Sequence, residues 1–227
     1  MSVGGRGSPG ELAAADELRH QPDAAVPDWQ ETWWFDAWTP DATVAVTCRV
    51  TLLPSRRRAA YWSQLVRAGE PLVHLADLDV PLPSAGLALR SPALWADHEC
   101  EAPFEQWTVA NEAYAVALTD PEEALGRAYG EALPLAVDVE WYATSPPRPT
   151  PGGYVQDGEG HSVIELGHDS ITLEGPAARG HVWGAARRGP PPADLPDGLR
   201  APLPLPDGTV LDQVVTLDGW LRWPRPF

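Results

Sequence analysis

Arg179, His181 and Trp183 stand at alternate positions in a segment that its apolar periodicity predicts to be extended. Successive side chains of a strand point to opposite faces, so these three share one face. A fixed cation, an imidazole and an indole side by side suit recognition of a polar group on an otherwise apolar ligand. The imidazole also suits general acid–base chemistry at neutral pH. The structural alternative is an arginine–carboxylate pair that closes the fold, with Trp183 packed over it.

A second group of polar residues lies between Asp97 and Glu101. In a strand, His98 and Cys100 point one way and Asp97 and Glu99 the other, which splits the cluster and disfavours a metal site. No Cys-x-x-Cys or His-x3-His spacing suggests structural zinc. We therefore expect no metal and no cofactor, and we expect His98 to be an inward polar anchor for a ligand. A metal-dependent enzyme using His98 and His181 is a further alternative.

The chain contains 11 tryptophans, and four of them fall in one predicted strand that begins at Trp29. Alternation predicts two faces: Trp29, Glu31, Trp33 and Phe35 on one side, and Trp34, Asp36 and Trp38 on the other. One face can pack against the body of the protein while the other lines a cavity. A core filled entirely by these rings is the alternative.

The elements that position these residues are predicted to be strands. Side chains of the two predicted faces alternate most clearly in Thr43 to Leu52 and in Leu133 to Tyr142. Further strands are predicted at Ala59–Arg67, Leu72–Val80, Gly86–Cys100 with a bend at Pro92, Gln106–Leu118, Tyr154–Ile164 and Ile171–Trp183. Strands at this spacing predict an all-β, antiparallel, lipocalin-like barrel.

Helical signals are few. One short helix is predicted from Asp120-Pro121 to about Tyr129, because Asp is a good N-cap and Pro suits the first turn. We expect three regions: a flexible N-terminal segment over 1–26 with a short helix at Glu11–His20, a barrel domain over 27–188, and a Pro-rich tail over 189–227 with a final strand at Val210–Trp223.

Composition excludes several classes of protein. The net charge is −16, from 32 acidic and 16 basic residues, so nucleic acid and anionic membrane surfaces are repelled. All 16 basic residues are arginine, which indicates a GC-rich, bacterial genome. No apolar run approaches a membrane span, and the N-terminus lacks the features of a signal peptide. We expect a cytoplasmic protein whose Cys48 and Cys100 are reduced.

Three stretches carry a family resemblance. The three stretches are Glu31-Thr32-Trp33-Trp34-Phe35-Asp36, the segment Trp95 to Trp107, and Arg179-Gly180-His181-Val182-Trp183-Gly184. They are similar to motifs of one group of proteins. This is the lipocalin-like superfamily of AttH and carotenoid 1,2-hydratase (hydroxyneurosporene synthase), which includes fungal pericyclases and hydratases of terpenoid or polyketide skeletons. The resemblance covers roughly Trp29 to Gly184.

The resemblance implies cofactor-free proton chemistry and two successive barrel domains. Only about forty residues follow Trp183, so we expect a first domain followed by a truncated second one, whose place a partner domain or a homodimer could take. Two positions depart from the family's Arg-Asp-His-Ser-Trp-Gly pattern, with Gly180 in place of Asp and Val182 in place of Ser. If that Asp orients the imidazole in active members, the departure puts catalysis in doubt.

The leading hypothesis is a protein that binds an apolar, isoprenoid- or polyketide-like molecule in a barrel pocket. As an enzyme it would be a hydratase, lyase or cyclase in which His181 or Asp36 moves the proton. The ligand-binding residues are predicted to be Arg179, Trp183, Trp33, Trp34, Trp107, His98 and Glu31. The alternative from another class is a non-catalytic structural or interaction domain with a filled core.

Overall fold

The computed structural model describes residues 12–26, 28–41, 43–119, 123–124 and 128–185, and the backbone of three strands between residues 200 and 224. The described strands are β1 (Trp29–Trp38), β2 (Val44–Leu53), β3 (Arg58–Arg67), β4 (Leu72–Pro81), β5 (Leu89–Arg90), β6 (Leu94–Ala102), β7 (Gln106–Leu118), β8 (Glu131–Ala143), β9 (Arg148–Thr150), β10 (Gly153–Leu166), β11 (Asp169–Ala185), β12 (Arg200–Pro204), β13 (Val210–Thr216) and β14 (Gly219–Pro224).

Eight antiparallel strands close into a ring, which confirms the predicted all-β, barrel-like fold. The order around the ring is β1-β2-β3-β4-β7-β8-β10-β11, and β11 pairs with β1. Strand β7 is long enough to pair with β4 near its C-terminal end and with β6 along its N-terminal part. Strands β5 and β6 therefore extend the sheet beyond the ring, and β9 pairs with β10.

The bend predicted at Pro92 interrupts the Gly86–Cys100 segment, which forms β5 and β6 on either side of it. The Pro-rich loop after Trp141 contains the short strand β9, which pairs with one neighbour only, as expected for a Pro-containing strand. A hairpin at Gly167 joins β10 to β11, and Gly167 has a φ of 62°. Local turn chemistry therefore sets these boundaries.

The barrel interior is the main hydrophobic core. Alternate residues of each strand enter it, including Trp33 and Phe35 of β1, and Val137 and Trp141 of β8, all at most 3% exposed. Trp34 and Asp36 of β1 point to the opposite face and are also buried, at 1% and 4% exposed. The predicted division of the first strand into two faces is therefore observed.

The N-terminal helix predicted at Glu11–His20 is a 3₁₀ turn over Ala14–Glu17. A second 3₁₀ turn, Pro54–Arg56, joins β2 to β3. Most of the helix predicted between Asp120 and Tyr129 lies outside the described residues. In the described part of the chain, no helix is long and apolar enough to cross a membrane.

The C-terminal segment contains more strands than predicted. The final strand predicted at Val210–Trp223 is divided into β13 and β14, and β12 lies within the Pro-rich stretch. These three form a separate antiparallel sheet in the order β12-β13-β14. The division is reasonable because Asp218-Gly219 is a turn sequence within the predicted strand.

Candidate functional site

Arg179 is the centre of a buried polar site inside the barrel. It lies on β11 with 0% exposure, and its Cζ atom is 4.6 Å from the ring centroid of Trp141. Its Nη2 atom donates to Gln156 Oε1 at 2.6 Å, and Nη1 donates to the Tyr154 hydroxyl at 3.2 Å. The rings and the amide thus hold the guanidinium in one orientation.

The carboxylate partner of Arg179 is Glu17, which comes from the N-terminal segment rather than from the barrel wall. Glu17 Oε1 accepts hydrogen bonds from Arg179 Nη2 at 2.7 Å and from the Tyr154 hydroxyl at 2.5 Å. Its Oε2 accepts from Trp107 Nε1 at 2.6 Å. The structure therefore contains the arginine–carboxylate pair of the structural alternative, but Trp183 stacks on His20 rather than packing over this pair.

Glu17 is stabilised in its charged form. Burial alone would raise its pKa, but the charge of Arg179 and the hydrogen bonds from Arg179, Tyr154 and Trp107 outweigh burial, so the pKa of Glu17 is lowered. Burial raises the pKa of Tyr154, which keeps its hydroxyl protonated and able to donate. This cluster is therefore a carboxylate-binding arrangement with neutral donors and one cation.

His181 and Glu31 form a second polar pair next to this pocket. His181 Nε2 lies 2.9 Å from Glu31 Oε1, and His181 Nδ1 lies 2.8 Å from the Asp16 carbonyl oxygen. The imidazole stacks on Trp33 with centroids 4.0 Å apart. His20 completes the cluster, because its Nδ1 is 2.7 Å from Glu31 Oε1 and its ring stacks on Trp183.

The chemistry of this pair depends on where its protons lie. A carbonyl oxygen only accepts, so His181 Nδ1 carries a proton and donates it to Asp16. Burial lowers the pKa of His181, which favours the neutral imidazole. Burial of Glu31 is outweighed by hydrogen bonds with His181 and His20, so the pKa of Glu31 is lowered, which favours the carboxylate. The pair therefore offers two neighbouring proton acceptors, His181 Nε2 and Glu31 Oε1, which suit general base chemistry.

The same cluster could hold a metal ion. Ligand atoms of His20, Glu31 and His181 lie within 4.8 Å of one another. Two imidazoles and a carboxylate are a donor set that zinc or ferrous iron accepts. These are not the two residues of the metal alternative in the sequence analysis, since His98 lies in a different cluster.

A deeper polar cluster contains His98, Tyr61 and Asn111. The Tyr61 hydroxyl donates to Asn111 Oδ1 at 3.0 Å, and His98 Nε2 lies 3.4 Å from the same hydroxyl. Cys48 also contacts Asn111 Oδ1 through its thiol, at 3.7 Å, and both cysteines are free. The cluster places hydrogen-bonding groups among apolar walls.

His98 should give the protein a measurable acid sensitivity. Burial lowers the pKa of His98 from 6.5 to about 3, so between these values the unfolded chain binds more protons than the folded one. Stability is therefore lost as pH falls below 6.5. We expect wild type to lose up to about 1.4 kcal/mol of unfolding free energy per pH unit more than His98→Gln. Urea denaturation at about pH 7 and about pH 5 measures this.

His168→Gln is the control for this experiment, because His168 is an exposed residue. Equal pH slopes for wild type and His98→Gln would contradict a neutral, buried His98.

The structure brings most of the predicted site residues into one interior. Seven of them lie on the inward face of the barrel or at its rim: Glu31, Trp33, His98, Trp107, Arg179, His181 and Trp183. Trp34 and Asp36 lie on the opposite face of β1, so they do not join this site. Gly180 also faces that way, because a Cβ atom there would lie 2.0 Å from Trp34 ring carbons.

Sequence reasoning missed Glu17, His20, Tyr154, Gln156 and Asn111. Tyr154 and Gln156 alternate along β10 and pair with His181 and Arg179 of β11, so correct strand pairing would have placed them in the site. Nothing in the local sequence predicts burial of Glu17 and His20, because ordinary burial preferences would bury the apolar neighbour Leu18 instead.

Comparisons with known proteins give a family and a distant structural similarity. Residues 13–192 match the model of a family described as "Domain of unknown function (DUF7064)". No curated protein matches the sequence. The resemblance to the AttH and carotenoid hydratase superfamily stays a prediction.

Two crystal structures, both of CghA, show the distant similarity. One is described as CghA with Sch210972, at 12% identity and a TM-score of 0.41, and the other as CghA, at 11% and 0.40. Each alignment covers 84% of this chain and 54% of CghA, so this chain spans about half the length of that protein. A similarity of this extent carries no argument about function.

Proposed function

The chain belongs to the DUF7064 family, and we propose that it binds an apolar small molecule with one polar group inside the barrel. The walls around Arg179 support this proposal, because they are aromatic and apolar. Trp107, Trp141 and Tyr154 all lie within 6 Å of the guanidinium carbon. An apolar pocket with a few placed polar groups is the usual form of a small-molecule site.

Polar atoms without partners carry the proposal. Within the described residues, the buried atoms that have no hydrogen-bond partner include His98 Nδ1, Asn111 Nδ2, Trp141 Nε1, Ser162 Oγ and Arg179 Nε. All five side chains come from inward positions of the strands. Each unpartnered buried group costs about 1–3 kcal/mol. A protein that only filled its core would have replaced them with apolar groups, whereas a guest with polar atoms could satisfy them.

The pair His181–Glu31 extends the proposal to a reaction. Hydration adds the proton and the hydroxyl of one water across a double bond, and cyclisation with proton transfer rearranges bonds within one molecule. Neither needs an oxidant or a reductant. We propose that the proton of the reaction is moved by His181 Nε2 and Glu31 Oε1, which lie 2.9 Å apart.

Ligand titration tests the binding proposal. Farnesol represents isoprenoids and emodin represents aromatic polyketides. We expect at least one of them to quench the fluorescence of the interior tryptophans and to raise Tm by about 2–4 °C for each kcal/mol of binding. Absence of both effects for both probes would leave the filled-core interaction domain as the better description.

A pair of matched variants locates the binding site. Val137 faces the interior at 2% exposure, whereas Val163 lies on the outer face at 37%. Val137→Phe should fill interior space and weaken probe binding at least tenfold, while Val163→Phe should not change it. Thermal melting establishes that both variants are folded. Equal binding by the two variants would place the ligand outside the barrel.

A further inference from the structure

We propose that Arg179, Tyr154 and Trp107 form a site for a ligand carboxylate, with Gln156 orienting Arg179, and that Glu17 occupies this site in the ligand-free protein. The inference rests on the proposed function and deepens it by naming the ligand class, an apolar carboxylic acid. Residues 12–26 are called the N-terminal arm. In this inference the arm is an internal competitor that the ligand displaces.

The donors and the acceptor of this site come from different parts of the fold. The N–H and O–H donors to the carboxylate lie on strands of the ring, Trp107 on β7, Tyr154 on β10 and Arg179 on β11. Gln156 of β10 accepts from Arg179 and so orients the guanidinium. The carboxylate alone comes from the arm, which contributes no strand to the ring. If the arm leaves, the donors keep their positions, and another carboxylate can take the place of Glu17.

Glu17 does not use the site fully. Glu17 contacts Arg179 through Nη2 only, and Nε of the same guanidinium has no partner within the described residues. Arginine binds carboxylates best with two parallel hydrogen bonds. A free ligand, which is not restrained by an arm, can turn its carboxylate to engage both atoms. The unpartnered Nε is therefore a reason for a ligand to compete successfully.

The arm also buries a charged side chain and exposes an apolar one, which is the reverse of ordinary burial preferences. Glu17 is 0% exposed, while the next residue, Leu18, is 57% exposed. A segment that served only to cover the barrel would gain about 1.5–3 kcal/mol by burying leucine and would leave glutamate in water. The observed arrangement makes sense if the function of the arm is to deliver a carboxylate.

Displacement of the arm would also uncover the proton-transfer pair. The Asp16 carbonyl accepts from His181, and His20 contacts Glu31. Both contacts come from the arm and lie beside Arg179. Entry of a ligand carboxylate would therefore expose His181 and Glu31 to the rest of the ligand in the same event.

The variant Glu17→Ala tests the site directly, because it removes the internal carboxylate and leaves Arg179 unpaired. We expect acetate to raise the Tm of this variant by about 4 °C at a tenfold excess over its Kd. Acetamide, which has nearly the same shape but no charge, should have little effect at the same ionic strength. Wild type, whose site is filled by Glu17, should not respond to acetate.

Two further variants keep the test decisive. Glu17→Ala/Arg179→Met removes the cation, so acetate should no longer raise Tm. Glu17→Gln keeps the volume of the side chain and removes its charge. If Glu17→Ala does not fold, Glu17→Gln should still bind farnesoic acid at least tenfold more tightly than wild type does. Equal acetate responses of wild type, the single variant and the double variant would overturn the inference.

The outcomes separate this inference from the proposed function. If farnesol or emodin binds wild type but acetate does not stabilise Glu17→Ala, the barrel binds small molecules without a carboxylate site. If acetate stabilises Glu17→Ala but neither farnesol, emodin nor farnesoic acid binds any variant, the carboxylate site exists and the apolar pocket does not. In that case the Glu17–Arg179 pair has only a structural role in the full chain.

Discussion

Arg179→Met is expected to lower the free energy of unfolding by about 3–5 kcal/mol at neutral pH, because it leaves Glu17 buried without a cation. Arg179 and Glu17 are both 0% exposed, so water cannot replace the lost partner while the arm stays in place. Tyr154 and Trp107 still donate to the carboxylate, but neither carries a charge. Urea denaturation followed by circular dichroism measures the loss.

The stability that Arg179→Met loses relative to wild type should depend on pH, and the pKa of Glu17 sets the direction. In wild type the pKa of Glu17 is lowered, so Glu17 contributes stability above its unfolded pKa, and that stability is lost as pH falls. Without Arg179, burial raises the pKa of Glu17 in the folded variant, which then gains stability only at acidic pH and loses it as pH rises. The difference between wild type and Arg179→Met should therefore be larger at about pH 7 than at about pH 4.

Two variants control this prediction. Glu17→Gln/Arg179→Met has no charge at either position of this pair and should be more stable than Arg179→Met alone. Arg58→Met breaks an ion pair with Asp79, whose side chain is 84% exposed, and should cost far less. A double variant that is no more stable than the single one would show that the loss comes from packing around Arg179 rather than from an unpaired Glu17.

Gly180→Ala should destabilise the protein by about 3 kcal/mol or more, although it adds a single methyl group. A Cβ atom at this position would lie 2.0 Å from two ring carbons of Trp34, which is 1% exposed and cannot move without repacking. The φ of Gly180 is not in the left-handed region, so the cost is steric. Gly180→Asp should cost at least as much, because it also buries a carboxylate.

A double-mutant cycle checks the cause. In a Trp34→Ala background the ring is absent, so adding Gly180→Ala should cost at least about 1 kcal/mol less than it does in wild type. The same cost in both backgrounds would contradict a clash with Trp34. The geometry also bears on the resemblance to the Arg-Asp-His-Ser-Trp-Gly pattern, since an Asp at this position would face Trp34 rather than His181. Its replacement by Gly180 removes no group from the barrel interior.

Alternation along the strands was sufficient to predict the fold class and the sharing of faces. Arg179, His181 and Trp183 do lie on one side of β11, and Trp33 and Trp34 do lie on opposite sides of β1. These features are local, because a period of two residues is a property of each strand whatever its neighbours are. The two exceptions among the predicted site residues are consistent with this rule: Trp34 and Asp36 share the face of β1 opposite to that of Trp33.

The tertiary structure decided which groups meet inside the barrel. Glu17 is 162 residues from Arg179 in the chain, and Asn111 is 50 residues from Tyr61. No local pattern marks Glu17 for burial, since its charge and its exposed neighbour Leu18 both favour the opposite arrangement. Its position depends on the pairing of β7, β8, β10 and β11, which brings Trp107, Tyr154 and Arg179 to one carboxylate. Only this tertiary arrangement gives a buried carboxylate enough donors to stay charged.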